Sequence, residues 1–193
     1  MKNNQSFEKN SKSDTFFEKK NPFSSFNSFL PSSSSASVLI IVTMHEKPCR
    51  MRGLFGEGMR ETHQVLYVSE KLIHQFLPKL SKHLDTELIH VTMYATQWLL
   101  TQYTSSFQFD LVMRVWDCFL VEGWKIIYRV MLSLLQHYQN ELLNLGFEEI
   151  LGFFRKLPMN VKGNLIVDES IRIPLRWLHI HKYENEWLEQ NPL

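Results

Sequence analysis

Side chains able to do chemistry are scattered along this chain, and none falls into a spacing that carries out a reaction alone. His179 and His181 lie two residues apart, which puts them on different faces of a helix, and no third ligand accompanies them. They predict no metal site. Cys118 sits in the run Val115-Trp116-Asp117-Cys118-Phe119-Leu120. A nucleophilic cysteine needs neighbours that stabilise its thiolate, whereas these are apolar or, in Asp117, opposed to ionisation. A buried free thiol is the expectation. Gly53-Leu54-Phe55-Gly56-Glu57-Gly58 lacks the spacing of a phosphate loop and follows no strand. Arg114 and Asp117 are three apart on one helical face, within reach of a charge-assisted hydrogen bond. Either they contact a partner, or they form a structural pair satisfied by each other or by nearby backbone. No catalytic, cofactor-binding or metal-ligating residue is predicted.

Composition narrows the function classes. The 193 residues carry 21 basic and 20 acidic side chains for a net charge of +1, with no cluster of Lys and Arg of the kind that displaces counterions from nucleic acid. No nucleic-acid partner is expected. Cys49 and Cys118 lack the pairing or spacing of a disulfide framework or zinc site, which fits a reduced, cytoplasmic setting. The longest strongly apolar run, Val38 to Val42, falls far short of the ~20 residues that span a bilayer. The first 30 residues contain no apolar stretch of a secretory signal.

The elements that must position these residues read as helices. Residues 1–37 are rich in Ser, Asn, Lys and Phe and end in Ser32-Ser33-Ser34-Ser35-Ala36-Ser37, a composition that predicts a disordered tail. Its phenylalanines at 16, 17, 23, 26 and 29 read as part of that tail or as a short docking motif. From residue 38 onward the apolar spacing is helical. Leu66, Ile73, Phe76, Leu77, Leu80 and Leu84 form a long amphipathic stretch that Pro78 must kink or break. Residues 87–104 predict a second helix with Val91, Tyr94, Ala95, Trp98 and Leu99 on one stripe. Between Gln108 and Val121 apolar residues run nearly all round, which predicts a central, buried helix. Glu122-Gly123 is a very short link to a helix over 124–137, implying an antiparallel hairpin. Further helices are expected over 146–157 and 168–189, with Pro174 at a start or break. Trp98 and Trp116 read as core anchors. The fold class is all-α, without internal repeats.

Several blocks taken in order go beyond generic helix. Met93-Tyr94-Ala95-Thr96-Gln97-Trp98-Leu99-Leu100, then Phe107, then Arg114-Val115-Trp116-Asp117 and Gly123, resemble the third motif of the TBC domain, the module of Rab GTPase-activating proteins. Met51-Arg52-Gly53-Leu54-Phe55 and Phe76-Leu77-Pro78-Lys79-Leu80 resemble TBC sequence at the right order and spacing. Val38 to Lys47 is similar to the tail of the preceding helix, and Asp168 to Leu188 to the last helix. The resemblance covers residues 38–190 and marks Trp98, Phe107, Arg114, Trp116, Asp117 and Gly123 as signature positions with structural roles.

The resemblance implies a two-lobed, V-shaped helical domain that stimulates GTP hydrolysis by a GTP-bound, Rab-type small GTPase. Family members supply an arginine and a glutamine in trans, and an arginine finger is worth on the order of 10³–10⁵ in rate. These belong to I-x-x-D-x-x-R and Y-x-Q-G motifs in the N-terminal half, and neither motif occurs here. Ile166-Val167-Asp168-Glu169-Ser170-Ile171-Arg172 has the wrong spacing and position. Tyr94-Ala95-Thr96-Gln97 has one residue too many, lacks the following Gly, and lies inside the third motif. The expectation is therefore the C-terminal part of a TBC domain preceded by a disordered tail, without catalytic residues or cofactors. It would be cytoplasmic, at most peripheral to endomembranes, and would touch membrane only through partners. Three readings follow: a GTPase activator whose activity comes from an N-terminal half, a non-catalytic scaffold binding a GTPase or another protein, or an incomplete domain that does not fold alone.

Overall fold

The computed structural model describes residues 49, 51 and 53–192. The expected tail over 1–37, the stretch Val38 to Lys47, and Arg52 lie outside the described residues. All regular structure among the described residues is helical. A 3₁₀ turn at Glu57–Met59 leads into α1 (Arg60–Phe76) and α2 (Pro78–Thr86), and a second 3₁₀ turn at Val91–Met93 precedes α3 (Ala95–Leu100). Then come α4 (Phe109–Glu122), α5 (Trp124–His137), the short α6 (Gln139–Leu142), α7 (Phe147–Asn160), α8 (Gly163–Arg172) and α9 (Trp177–Gln190).

The predicted break at Pro78 separates α1 from α2. Leu77 leaves the helical region at φ −129°, ψ 57°, as the residue before a proline tends to, and Pro78 occupies the first turn of α2, where its missing N–H costs nothing. At the other predicted link, Gly123 alone ends α4 and opens α5. Its φ of 59° and ψ of −144° lie in a region that essentially only glycine enters. The closing helix expected over 168–189 is two helices, α8 and α9. Pro174 lies in the link between them, and Leu175 is buried there.

The helix expected over 87–104 is not continuous. All five residues of its apolar stripe are buried, but only Ala95–Leu100 is α-helical. Two left-handed turns bound the segment. Leu88 has φ 57°, and the Ile89 N–H reaches back to the Leu84 carbonyl at 2.8 Å, closing α2. Gln102 and Tyr103 have φ 44° and 69°, and the Tyr103 N–H reaches the Trp98 carbonyl at 2.8 Å, closing α3. Such six-to-one bonds are the standard helix stop, built here without glycine. Side chains hold the second turn. Buried Gln102 donates through Nε2 to the carbonyls of Leu99 (3.0 Å) and Leu100 (3.1 Å), and the Tyr103 hydroxyl donates to the Ile127 carbonyl at 3.0 Å.

The central helix is α5, not α4. Ten of the fourteen residues of α5 are buried, among them Ile127, Val130, Met131 and Leu134. It touches α1, α4, α6 and α8. In α4 only Leu111, Val112, Val115 and Phe119 are buried. Phe109 and Met113 are 76% and 46% exposed, and Val121 is exposed as well. The reason is placement: α5 and α8 pack against α4, and Phe109, Met113 and Val121 are left on its exposed face.

A different contact joins α9 to α1. Ile180, Tyr183 and Trp187 turn inward from α9, and around them runs a polar seam. Arg60 lies over the Trp187 ring at 5.3 Å and donates through Nη2 to the Asn191 carbonyl. Gln64 donates to the Glu184 carbonyl at 3.2 Å, the Tyr67 hydroxyl to Glu186 Oε1 at 2.6 Å, and the Tyr183 hydroxyl to Gln75 Oε1 at 2.9 Å. Lys71 Nζ meets the same Glu186 oxygen at 3.3 Å. Residues 60, 64, 67, 71 and 75 recur at helical spacing, so one stripe of α1 supplies all five.

Candidate functional site

The six signature positions fall on α3, the turn after it, and the α4–α5 hairpin. Trp98 is buried and meets three aromatic rings edge-on: Tyr94 at 5.6 Å, Phe107 at 5.5 Å and Phe154 of α7 at 5.7 Å. Phe107 is buried against Trp98 and, at 5.1 Å, Tyr103. These contacts tie α3 and the start of α4 to α7, with each edge-on pair worth about 0.5–1.5 kcal/mol beyond area burial. Both side chains lie in the hydrophobic core.

Trp116 is placed differently from the expected core anchor. It is half-buried, edge-on to Phe119 at 5.8 Å, and its buried indole nitrogen has no hydrogen-bond partner. It packs against the edge of the core and is not enclosed by it. Arg114 and Asp117 do not pair with each other. Arg114 turns to α8, with Nη1 3.6 Å from Asp168 Oδ1 and 3.4 Å from the Asn164 carbonyl. Asp117 is exposed and makes no ion pair among the described residues. Both partners of Arg114 lie on α8, across a helix contact that helical spacing within α4 could not supply.

Gly123 sets the hairpin, and sequence reasoning passed over the ion network beside it. Glu122 Oε2 accepts from Lys125 Nζ at 2.9 Å and from Arg129 Nη1 at 2.8 Å. Arg129 Nη2 donates to the Leu175 carbonyl at 3.2 Å, so this cluster also fixes the α8–α9 link. Its signal was present as an acid followed by bases three and seven residues on, interrupted by the glycine. Gly163 is a second glycine with a packing reason. A Cβ there would lie 2.7 Å from the Leu111 backbone, so its absence lets α8 lie directly on α4.

The remaining chemistry-capable residues do not converge. Cys118 is half-buried and unpaired, and its thiol pKa is raised, by burial first and then by Glu122 and Asp117. Burial pushes the Cys49 thiol up to about 11, and its Sγ faces the Phe119 carbonyl at 3.6 Å. Neither is an activated nucleophile. His179 packs edge-on to Phe76 at 5.7 Å, while His181 pairs with Glu184 at 2.8 Å on another face of α9. No group of three or more His, Cys, Asp or Glu able to hold a metal occurs among the described residues. No described helix is long and apolar enough to cross a membrane.

The fold thus defines an all-helical domain, with the signature block spread over α3, the turn after it and the α4–α5 hairpin. The family model for the Rab-GTPase-TBC domain matches residues 29–143. The chain is 38% identical over 141 residues to the Ecotropic viral integration site 5 protein of Mus musculus, which covers 72% of this chain and 17% of that protein. It is 32% identical over 161 residues to the Drosophila melanogaster Ecotropic viral integration site 5 ortholog, covering 82% and 20%. It is 31% identical over 142 residues to the Rab GTPase-activating protein tbc-11 of Caenorhabditis elegans, covering 71% and 15%. The chain spans a fifth or less of the length of these relatives. The chain belongs to the Rab-GTPase-TBC domain family.

Proposed function

We propose that this chain is the C-terminal part of a Rab-GAP domain, a regulator of GTP-bound Rab-type GTPases in membrane traffic, and that alone it does not accelerate GTP hydrolysis. Family membership supports the first half. The observation that carries the second is the absence of both finger motifs from the 193 residues. Its residues would then shape the domain and contact the GTPase, while the arginine and glutamine that act on the phosphoryl group and water come from an N-terminal half. A cytoplasmic place, peripheral to endomembranes, goes with that role. So does the division of the chain into a tail over 1–37 and a partial domain over 38–190.

The test is GTP hydrolysis by a panel of Rab proteins, with and without the purified chain, after circular dichroism has established that it is folded. No acceleration is expected. A robust increase in rate would mean that a catalytic arginine lies in this sequence outside the family motif, and would overturn the proposal. A non-catalytic scaffold is the second reading, favoured by the outward stripe of Phe109 and Met113 on α4. Capture of a GTP-loaded Rab without hydrolysis would support it.

A further inference from the structure

One side of α4 carries apolar side chains that nothing among the described residues covers. At about 100° per residue, Phe109, Met113, Trp116 and Leu120 fall within about 60° of one another. Phe109 and Met113 are 76% and 46% exposed, and Trp116 and Leu120 are half-buried at the edge of the core. Beside this stripe Asp117 is exposed and forms no ion pair among the described residues, since Arg114, the one base of α4, is turned to Asp168. Such a stripe seats another helix, with apolar side chains set on it and a base at its flank.

The chain itself supplies an occupant within reach. Cys49 is fully buried, and its Sγ faces the Phe119 carbonyl at 3.6 Å, so the chain meets α4 near its C-terminal end. The residues just before it read Ile40-Ile41-Val42-Thr43-Met44-His45-Glu46-Lys47-Pro48 and lie outside the described residues. The family match begins upstream of them at residue 29, and the compact unit that holds all the described helices runs Ile40–Leu193. They therefore belong to the same body, in which Ile40, Ile41 and Val42 need an apolar surface.

We propose that residues 40–47 form a helix lying along α4, with Ile40 and Met44 on the stripe of Phe109, Met113 and Trp116 and the Lys47 ammonium at Asp117. Ile40, Met44 and Lys47 are spaced four and three apart, on one helical face. Pro48 ends such a helix at Lys47, where a base also suits the helix C-terminus. At about 1.5 Å per residue, this helix carries Ile40 about 14 Å back from Cys49, level with the first turn of α4. The opposite course leads past Gly123 to the charges of Glu122, Lys125 and Arg129, which offer isoleucine no seat. The stripe is then covered from within the chain, and a partner reaches it only by displacing residues 40–47. The inference stands whether or not the chain accelerates GTP hydrolysis.

The experiment uses the full chain with ¹³C-methyl methionine, its folding checked by circular dichroism. A nuclear Overhauser cross-peak between the methyl groups of Met44 and Met113 is expected. Ile40→Asp should shift the Met113 methyl signal while that of buried Met131 stays fixed. Lys47→Glu should weaken the cross-peak, and Asp117→Lys in the same chain should restore it. This charge exchange keeps the proposal testable if Ile40→Asp does not fold. A folded chain without the Met44–Met113 cross-peak would overturn the proposal. So would a cross-peak indifferent to both charge changes, or a Met113 signal that moves on dilution, which would give the stripe to a second copy.

Discussion

The contact of α8 with α4 and α5 and the contact of α9 with α1 are both helix pairings, yet they are built from opposite materials. The first is lined by Leu111, Val115, Ile127, Val130, Ile166 and Val167, all buried. Gly163 brings the backbones together there, and the buried Ser133 hydroxyl donates to the Ile166 carbonyl at 2.9 Å. The second keeps three inward residues of α9 but surrounds them with paired amides, hydroxyls and charges. Apolar burial is worth about 25 cal/mol per Å² and is insensitive to salt, whereas exposed ion pairs contribute little and are screened. The apolar contact therefore sets the stability of the fold, and the polar seam sets the register in which the last helix lies.

Apolar packing can be broken first, beginning where Trp98 joins α3 to α7. Trp98→Ala removes an aromatic touching three other rings and is expected to cost ~3–5 kcal/mol, read as a shift in the urea midpoint. Trp116→Ala should cost less, because that side chain is half-buried. Equal losses at the two tryptophans would mean that the outward face of α4 contributes as much to the core as the inward one. At the hairpin, Gly123→Ala places a Cβ where φ is +59° and should cost ~1–3 kcal/mol in the same assay. A neutral result would mean that the link relaxes into another conformation.

The seam should respond more weakly and differently. Tyr67→Phe removes the 2.6 Å hydrogen bond to Glu186 and is expected to cost about 1 kcal/mol. The Tyr67 hydroxyl, and then Lys71, hold the Glu186 carboxyl below the usual range. A depressed folded-state pKa stabilises at pH above the unfolded value and loses its contribution as pH falls through the folded one. Amide exchange in α9 should therefore accelerate on acidification below about pH 4 before that in α5 does, and Glu186→Gln should flatten this response. Acceleration of both helices together would show that the seam has no independent acid response.

The sequence made the apolar part of this architecture legible and left the polar part hidden, for physical reasons. Pro78 and Gly123 punctuate helices through backbone restrictions that hold in any surroundings, and the stripe through Val91, Tyr94 and Trp98 declares its burial by spacing. Leu88 and Gln102 end helices in the left-handed region without being glycine. At the second of these turns the conformation is imposed by Gln102 bonding to the α3 carbonyls and Tyr103 reaching α5, which are tertiary facts. The α1 residues 60, 64, 67, 71 and 75 resemble a solvated face because polar stripes carry the same pattern whether water or α9 lies opposite. For the same reason the spacing of Arg114 points to Asp117, although its partner is Asp168. At the signature block, the burial of Trp98 and Phe107 follows from pattern, whereas the partial burial of Trp116 depends on which helices pack beside α4.

The single-residue join between α4 and α5 has a mechanical meaning. A longer loop would let either helix turn about its own axis while the other stayed still. Here Glu122 and Trp124 belong to the two helices on either side of one residue, and Glu122 is further gripped by Lys125 and Arg129. Each residue of helix advances its azimuth by about 100°, so there is no slack in which a rotation could dissipate. From α5, the bonds of Tyr103 to the Ile127 carbonyl and of Ser133 to the Ile166 carbonyl extend the same fixed geometry to the α3 turn and to α8. The orientation of α4 about its axis is thereby tied to that of α5 by covalent geometry and by the Glu122 ion pairs together.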